Sequence, residues 1–248
     1  MTAKQNLKYQ LIAASCGFAF ETLFTIFWVG FGHNLPPSSP SLSGPELAAY
    51  FALHHNAMLF GYSMAALVAV LWIPWTAQLT VVMRRIEGAS PVLTIVQLSG
   101  GILTAWVLIF CPAIWATAVF RTDLEPNTIR ALNDLGFILF NITYAVTSLQ
   151  AIAAGIVGLA DKSERPVFPR WVCGWAIFTG ISFLPLTAMP FFKTGPLAWN
   201  GLITFWLLLG FYFLWTGSMG VCMAKDASRR LREELKIETP HPGRASAA

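Results

Sequence analysis

Apolar residues along this chain gather into six long blocks separated by short polar stretches. The blocks are Leu11–Gly32, Asn56–Met83, Pro91–Phe120, Asn133–Ala160, Trp171–Phe191 and Asn200–Ala224. A helix needs about 20 mostly apolar residues to cross the hydrocarbon layer of a bilayer, and every block meets that length. None shows the alternation of roughly ten residues that marks a membrane β-strand. The pattern therefore predicts an all-α integral membrane bundle of six transmembrane helices. Several blocks exceed the minimum, which predicts tilt or ends that protrude into the interface. Leu11–Gly32 is longer than the apolar region of a secretory leader and no small-residue cleavage motif follows it, so it is expected to be retained.

Charge placement orients the bundle. Thirteen lysines and arginines fall in the tail before the first block, in the 2–3 and 4–5 links and beyond the sixth block; the opposite links hold only Arg121, Arg130 and Lys193. The excess of basic residues marks the cytoplasmic side, which predicts cytoplasmic N- and C-termini. Residues 1–224 are read as the six-helix membrane domain. Within it, 43–55 is an outer segment whose Ser43 and Glu46 have capping-box spacing and are expected to start a short interfacial helix. Residues 225–248 are read as a charged helical extension followed by a disordered tail from Pro240. Anchoring on anionic lipid is its expected role.

Composition changes the picture only by exclusion. Of the 248 residues, 56% are hydrophobic and 11% charged, against about a quarter charged in soluble domains. No basic patch interleaved with aromatics lies outside the blocks, so nucleic acid is not an expected partner. Cys16, Cys111, Cys173 and Cys222 stand singly, which implies neither a disulfide framework nor a cysteine-held metal site. No phosphate-binding loop, nucleotide fingerprint or nucleophile elbow is present.

A few polar residues stand out against the apolar background. Glu21 is the acid nearest the middle of a predicted helix, about 16 Å below Gly32 at 1.5 Å per residue. An ionisable group at that depth marks a functional site or a buried partnership. Asn141 and Tyr144 lie at similar depth in the fourth block, so either is expected to hydrogen-bond Glu21. Asp134, Asn141 and Ser148 recur at seven-residue spacing, a stripe that should face protein or a cavity rather than lipid. Structural glue between helices, a ligand pocket and a proton relay all remain open for this group. His54 and His55 precede the second block, with His33 across the link, and three imidazoles near one face are candidates for haem; no metal-ligand spacing accompanies them. Asn133, Asp134, Lys193, Trp199 and Asn200, at outer block ends or in the last outer link, are candidate substrate-binding residues.

Each even-numbered block opens on asparagine: Asn56, Asn133 and Asn200. Phe110-Cys-Pro112 before Phe120-Arg121 also parallels Phe183-Leu-Pro185 before Phe192-Lys193. Three repeated helical hairpins would produce both patterns. The stretches Met83-Arg-Arg-Ile-Glu-Gly88, Val167-Phe-Pro-Arg-Trp-Val172 and Phe191-Phe-Lys-Thr-Gly-Pro-Leu-Ala-Trp-Asn-Gly201 resemble those of a family of bacterial multi-pass membrane proteins without an assigned activity. That resemblance, from about Glu46 to Met219, implies the architecture and a bacterial inner-membrane location. A shorter run, Ala49 through His54, His55 and Asn56 to Pro74, is similar to a segment of styrene oxide isomerase. That likeness implies haem held by His54 or His55, in a chain with two more helices than that family has.

Together these readings predict an inner-membrane bundle in the lipid bilayer with an outward-opening, aromatic-lined pocket for a small lipophilic molecule. A membrane-embedded, haem-assisted isomerase is the sharpest form of that expectation. The alternatives are a small-molecule carrier and an accessory subunit of a homo-oligomer or membrane complex.

Overall fold

The computed structural model describes residues 2–238. Six of its helices are long and apolar enough to cross a membrane: Ala3–Phe31, Gly44–Glu87, Val92–Phe120, Pro126–Leu159, Arg170–Phe191 and Leu202–Lys236, called spans one to six below. No strand occurs among the described residues. Each span packs against its neighbours in sequence and span six returns against span one, so the chain closes into a ring. Fully buried Trp72, Trp75, Trp115 and Trp215 fill its interior, while large apolar side chains such as Leu53, Leu67 and Phe110 point outward. An apolar exterior over an apolar interior is what lipid as solvent permits. The chain is a multi-pass membrane protein.

Three spans begin well ahead of their apolar blocks, and caps explain all three. At span one, Thr2 and Gln5 form a complete capping box, Thr2 N–H donating to Gln5 Oε1 at 3.0 Å. Ser43 and Glu46 form a complete capping box, Ser43 N–H donating to Glu46 Oε2 at 2.8 Å. The helix they start runs on through Val68, so 43–55 is the first part of span two and not a separate interfacial helix. Span two has 44 residues, about 66 Å of helix against a hydrocarbon layer of about 30 Å; its polar start must stand clear of the membrane. At span four, the Glu125 carboxylate accepts from Thr128 N–H at 3.0 Å and Pro126 takes the first helical position, where a missing N–H costs nothing. Asn56 and Asn133 therefore lie inside helices rather than at their starts. The matched prolines also behave differently: Pro112 sits within the continuous helix Val92–Phe120, whereas Pro185 lies in a 3-10 turn, Leu184–Thr187. At the other end, the last helix continues unbroken from Leu208 to Glu238, and the tail expected from Pro240 lies outside the described residues.

Four spans are interrupted toward the face away from the chain ends, called the far face below; span five passes into the 3-10 turn Leu184–Thr187 after Ser182. Span one widens into a π-helix over Thr25–Phe31, span six begins with another over Leu202–Leu207, and span four breaks at Thr143. Side chains recover the loosened backbone. Asn34 Nδ2 donates to the Trp28 carbonyl at 2.9 Å and the Tyr62 hydroxyl to the Gly32 carbonyl at 3.0 Å. Toward the basic face, the one carrying both chain ends, a layer of buried amides and hydroxyls ties spans two, three and four. There Gln150 Nε2 donates to Thr76 Oγ1 at 3.2 Å and Thr80 Oγ1 to Gln97 Oε1 at 2.9 Å.

Candidate functional site

The interruptions surround a cavity. Its volume is about 110 Å³, and its walls are mostly aromatic and aliphatic: Phe24 and Trp28 from span one, Leu108 from span three, Phe137 and Phe140 from span four, Phe205 from span six. Such a lining follows from the local backbone, because a π-turn or a broken helix cannot pack flush against its neighbours and leaves room where the ring would otherwise close. Pro37 and Trp199 close it toward the far face. Trp199 stacks on Phe137 with ring centroids 5.1 Å apart, and its indole N–H donates to the Ser38 carbonyl at 2.7 Å. The expected substrate-binding Trp199 is thus a roof fixed by two other elements.

Polar groups on the wall are few, and most are already engaged. Thr104 and Thr147 share a hydrogen bond at 2.9 Å, Thr143 donates to the Leu139 carbonyl at 2.7 Å, and Thr204 donates to the Ala198 carbonyl. Tyr144 reaches across to Thr187 at 2.6 Å. Asn141 Nδ2 donates to the Phe137 carbonyl at 2.8 Å, one turn back in its own helix, leaving Oδ1 without a bond. The Tyr212 hydroxyl is buried with no partner. Asn141 Oδ1, Tyr212 Oη and the Trp28 indole N–H are the polar groups of wall residues without a partner among the described residues.

Glu21 is not on this wall, and its expected partners are not its partners. Neither Asn141 nor Tyr144 bonds the acid; the Thr216 hydroxyl of span six donates to Glu21 Oε1 instead. Span six is the neighbour onto which that face of span one packs, and Gly217 leaves the carboxylate space, its Cβ position lying 3.3 Å from Oε2. Tyr212 stands within electrostatic reach of Glu21 while lining the cavity. So Asn141 and Tyr144 share the cavity, and Glu21 lies behind it.

The histidines form a separate group. His54 stacks on His33 with centroids 3.9 Å apart, and Tyr50 meets His54 edge-on at 4.9 Å. The Tyr50 hydroxyl donates to the His33 carbonyl at 3.2 Å, and His33 takes a left-handed φ of 53° as the chain leaves the π-helix. Burial, then the neighbouring His54 charge, holds the His33 imidazole below its ordinary range. Stacked imidazoles present their nitrogens in near-parallel planes rather than toward one shared ion. His55 makes no ring contact, and no His/Cys/Asp/Glu group of metal-binding size exists among the described residues. None of the three imidazoles lines the cavity.

The remaining candidates are scattered. Asn133 is buried, with its carbonyl accepting from the Trp115 indole at 3.3 Å and its side-chain oxygen unpartnered. Asp134 lies within electrostatic reach of Arg130 and of exposed Lys193, without an ion pair among the described residues. Asn200 is half-buried beside the roof. Sequence reasoning missed Thr216, Tyr212 and the Thr104–Thr147 pair. A hydroxyl in an apolar block carries no spacing signal, since it is equally at home bonding its own helix. No protein-family model, no curated protein and no solved structure matches the chain.

Proposed function

We propose that this membrane protein binds a small lipophilic molecule bearing one hydrogen-bonding group in the cavity at the span-four break. The observation that carries the reading is the pairing of an aromatic wall with just three uncommitted polar groups, Asn141 Oδ1, Tyr212 Oη and the Trp28 indole N–H. Ligand sites are typically apolar with a small number of placed polar groups. The volume of about 110 Å³ is somewhat below the roughly 150 Å³ of an apolar cavity that takes benzene, so the guest is about one ring in size. Binding fits the wall better than catalysis, because hydroxyls and one amide line it and neither carboxylate nor imidazole does. The haem-assisted isomerase reading draws on His54 and His55, which stand apart from this cavity.

A carrier is the second reading, favoured by one feature. Four interrupted spans meet around the cavity, and discontinuous helices at a central site are the usual architecture of alternating access.

Fluorine NMR of purified protein with fluorinated phenol and fluorobenzene tests the binding reading. Saturable binding is expected for both, with the phenol up to about tenfold tighter for its one hydrogen bond. Val107→Phe, which fills the cavity from span three, should remove both. Equal binding by the filled variant would overturn the proposal.

A further inference from the structure

The basic face holds a second, chemically different cavity. About 820 Å³ in volume, it is an open cleft lined by the ends of spans two and six and the 4–5 link. Asp226 sits in its wall, only 6% exposed. Its two oxygens are divided between two guanidinium groups: Oδ2 accepts from Arg85 Nη2 at 2.9 Å and Oδ1 from Arg229 Nη2 at 2.6 Å. Arg85 belongs to span two and Arg229 to span six, so one buried carboxylate fixes cations from two elements at one spot. Beside them is Arg230, half-buried, which makes no hydrogen bond or ion pair among the described residues and feels Arg85 and Arg229 as like charges, Asp226 and Glu233 as opposite ones. Two other acids act on these cations through space, Asp161 on Arg85 and Glu233 on Arg230, and across the whole lining five basic side chains stand against four acidic ones. Asp161 is committed to the backbone N–H groups of Ser163 and Val167, at 3.0 and 3.2 Å, and Glu164 and Glu233 are exposed.

Three guanidinium groups thus gather around one buried carboxylate, and most of their N–H donors are unused among the described residues. A guanidinium presents five donors in a planar fork that matches phosphate oxygens. The general excess of lysine and arginine at this face orients a membrane protein and needs no concave site. Two arginines pinned by a buried acid, beside a third with no hydrogen bond or ion pair among the described residues, are more than orientation requires. We propose that this cavity binds a phosphate group, either on the headgroup of an anionic lipid or on a soluble phosphate compound. Arg230 makes the primary contact, and Arg85 and Arg229 are held in position by Asp226. Basic pockets between membrane helices are known to take lipid headgroups in this way.

The test uses the whole protein in two arms. Native mass spectrometry counts retained phosphatidylglycerol against phosphatidylcholine, and thermal unfolding in phosphatidylcholine nanodiscs is followed with and without inorganic phosphate. Arg230→Gln breaks no hydrogen bond or ion pair among the described residues and should melt normally without ligand. It should weaken retention or protection by about tenfold, the loss of one charge-assisted contact. Arg232→Gln removes the same charge from an exposed position on the same helix and should change neither. Phosphatidylglycerol retention alone assigns the site to a lipid, and protection by phosphate alone assigns it to a soluble compound. Equal loss in the two variants would mean diffuse charge, and no response to either probe would mean no site; each outcome overturns the proposal.

Discussion

At the scale of single residues, an intramembrane acid takes the partner that packing brings to it. Glu21 shares its depth with Asn141 and Tyr144, and depth alone suggested them, but the facing helix is span six and the bond comes from Thr216. The Tyr212 carbonyl of its own helix also lies 2.9 Å from that hydroxyl, so its single proton is shared between two acceptors. The interhelical bond is expected to contribute about 1 kcal/mol, the usual scale for one hydrogen bond between membrane helices. Thr216→Val keeps the shape and removes the donor, so it should lower unfolding stability by about that amount. Glu21→Gln keeps an acceptor for Thr216 and should lose less. In the combined variant the two losses should not add, because both act on the same bond. Denaturant unfolding of the four proteins in micelles measures the coupling; strict additivity would show that Glu21 draws nothing from Thr216.

At the scale of elements, the sequence showed where helices cross and not where they break. Block length and the absence of charge were enough to find six spans, because lipid forces each crossing backbone to satisfy itself within one helix. The capping box at Ser43 was legible for the same local reason: both of its partners lie within three residues. The break at Thr143 carries no proline or glycine to announce it, and the wide turn over Thr25–Phe31 depends on Asn34 and Tyr62, which come from beyond that helix. The cavity is made by these interruptions, so only its apolar blocks were visible in advance. Gly61 illustrates the dependence on tertiary contact. A Cβ there would lie 2.6 Å from the Phe27 carbonyl oxygen and 2.6 Å from the Gly32 nitrogen, both backbone atoms of the wide turn that cannot step aside. Gly61→Ala should therefore destabilise the protein by about 1–3 kcal/mol, the range for overpacking, despite being the smallest substitution available. A thermal shift assay checks it, and an unchanged melting temperature would mean that spans one and two pack less closely than described.

At the scale of the whole molecule, the ring of six spans locks its faces together, so orientation in the membrane is a single question. The end of span two and the extension of span six are joined through Arg85 and Asp226, and six crossings place the N-terminus and the 4–5 link on that same face. That face holds twelve of the fifteen lysines and arginines among the described residues. Retention of basic loops on the cytoplasmic side depends on just such an asymmetry near the ends of the spans. Reporter fusions at Arg84 and after the last residue should both report cytoplasm, and a fusion at Lys193 the opposite compartment. The charge that sets this is concentrated beyond span six, so removing it should matter more than removing the pair at Arg84 and Arg85. If charge governs insertion, a chain with Lys225, Arg229, Arg230, Arg232 and Lys236 all changed to glutamine should give mixed orientation at the C-terminal reporter. Substitution of Arg84 and Arg85 should leave that reporter cytoplasmic. A C-terminal reporter that stays wholly cytoplasmic after all five changes would show that the earlier loops set the orientation, with the basic extension free to serve the phosphate site alone.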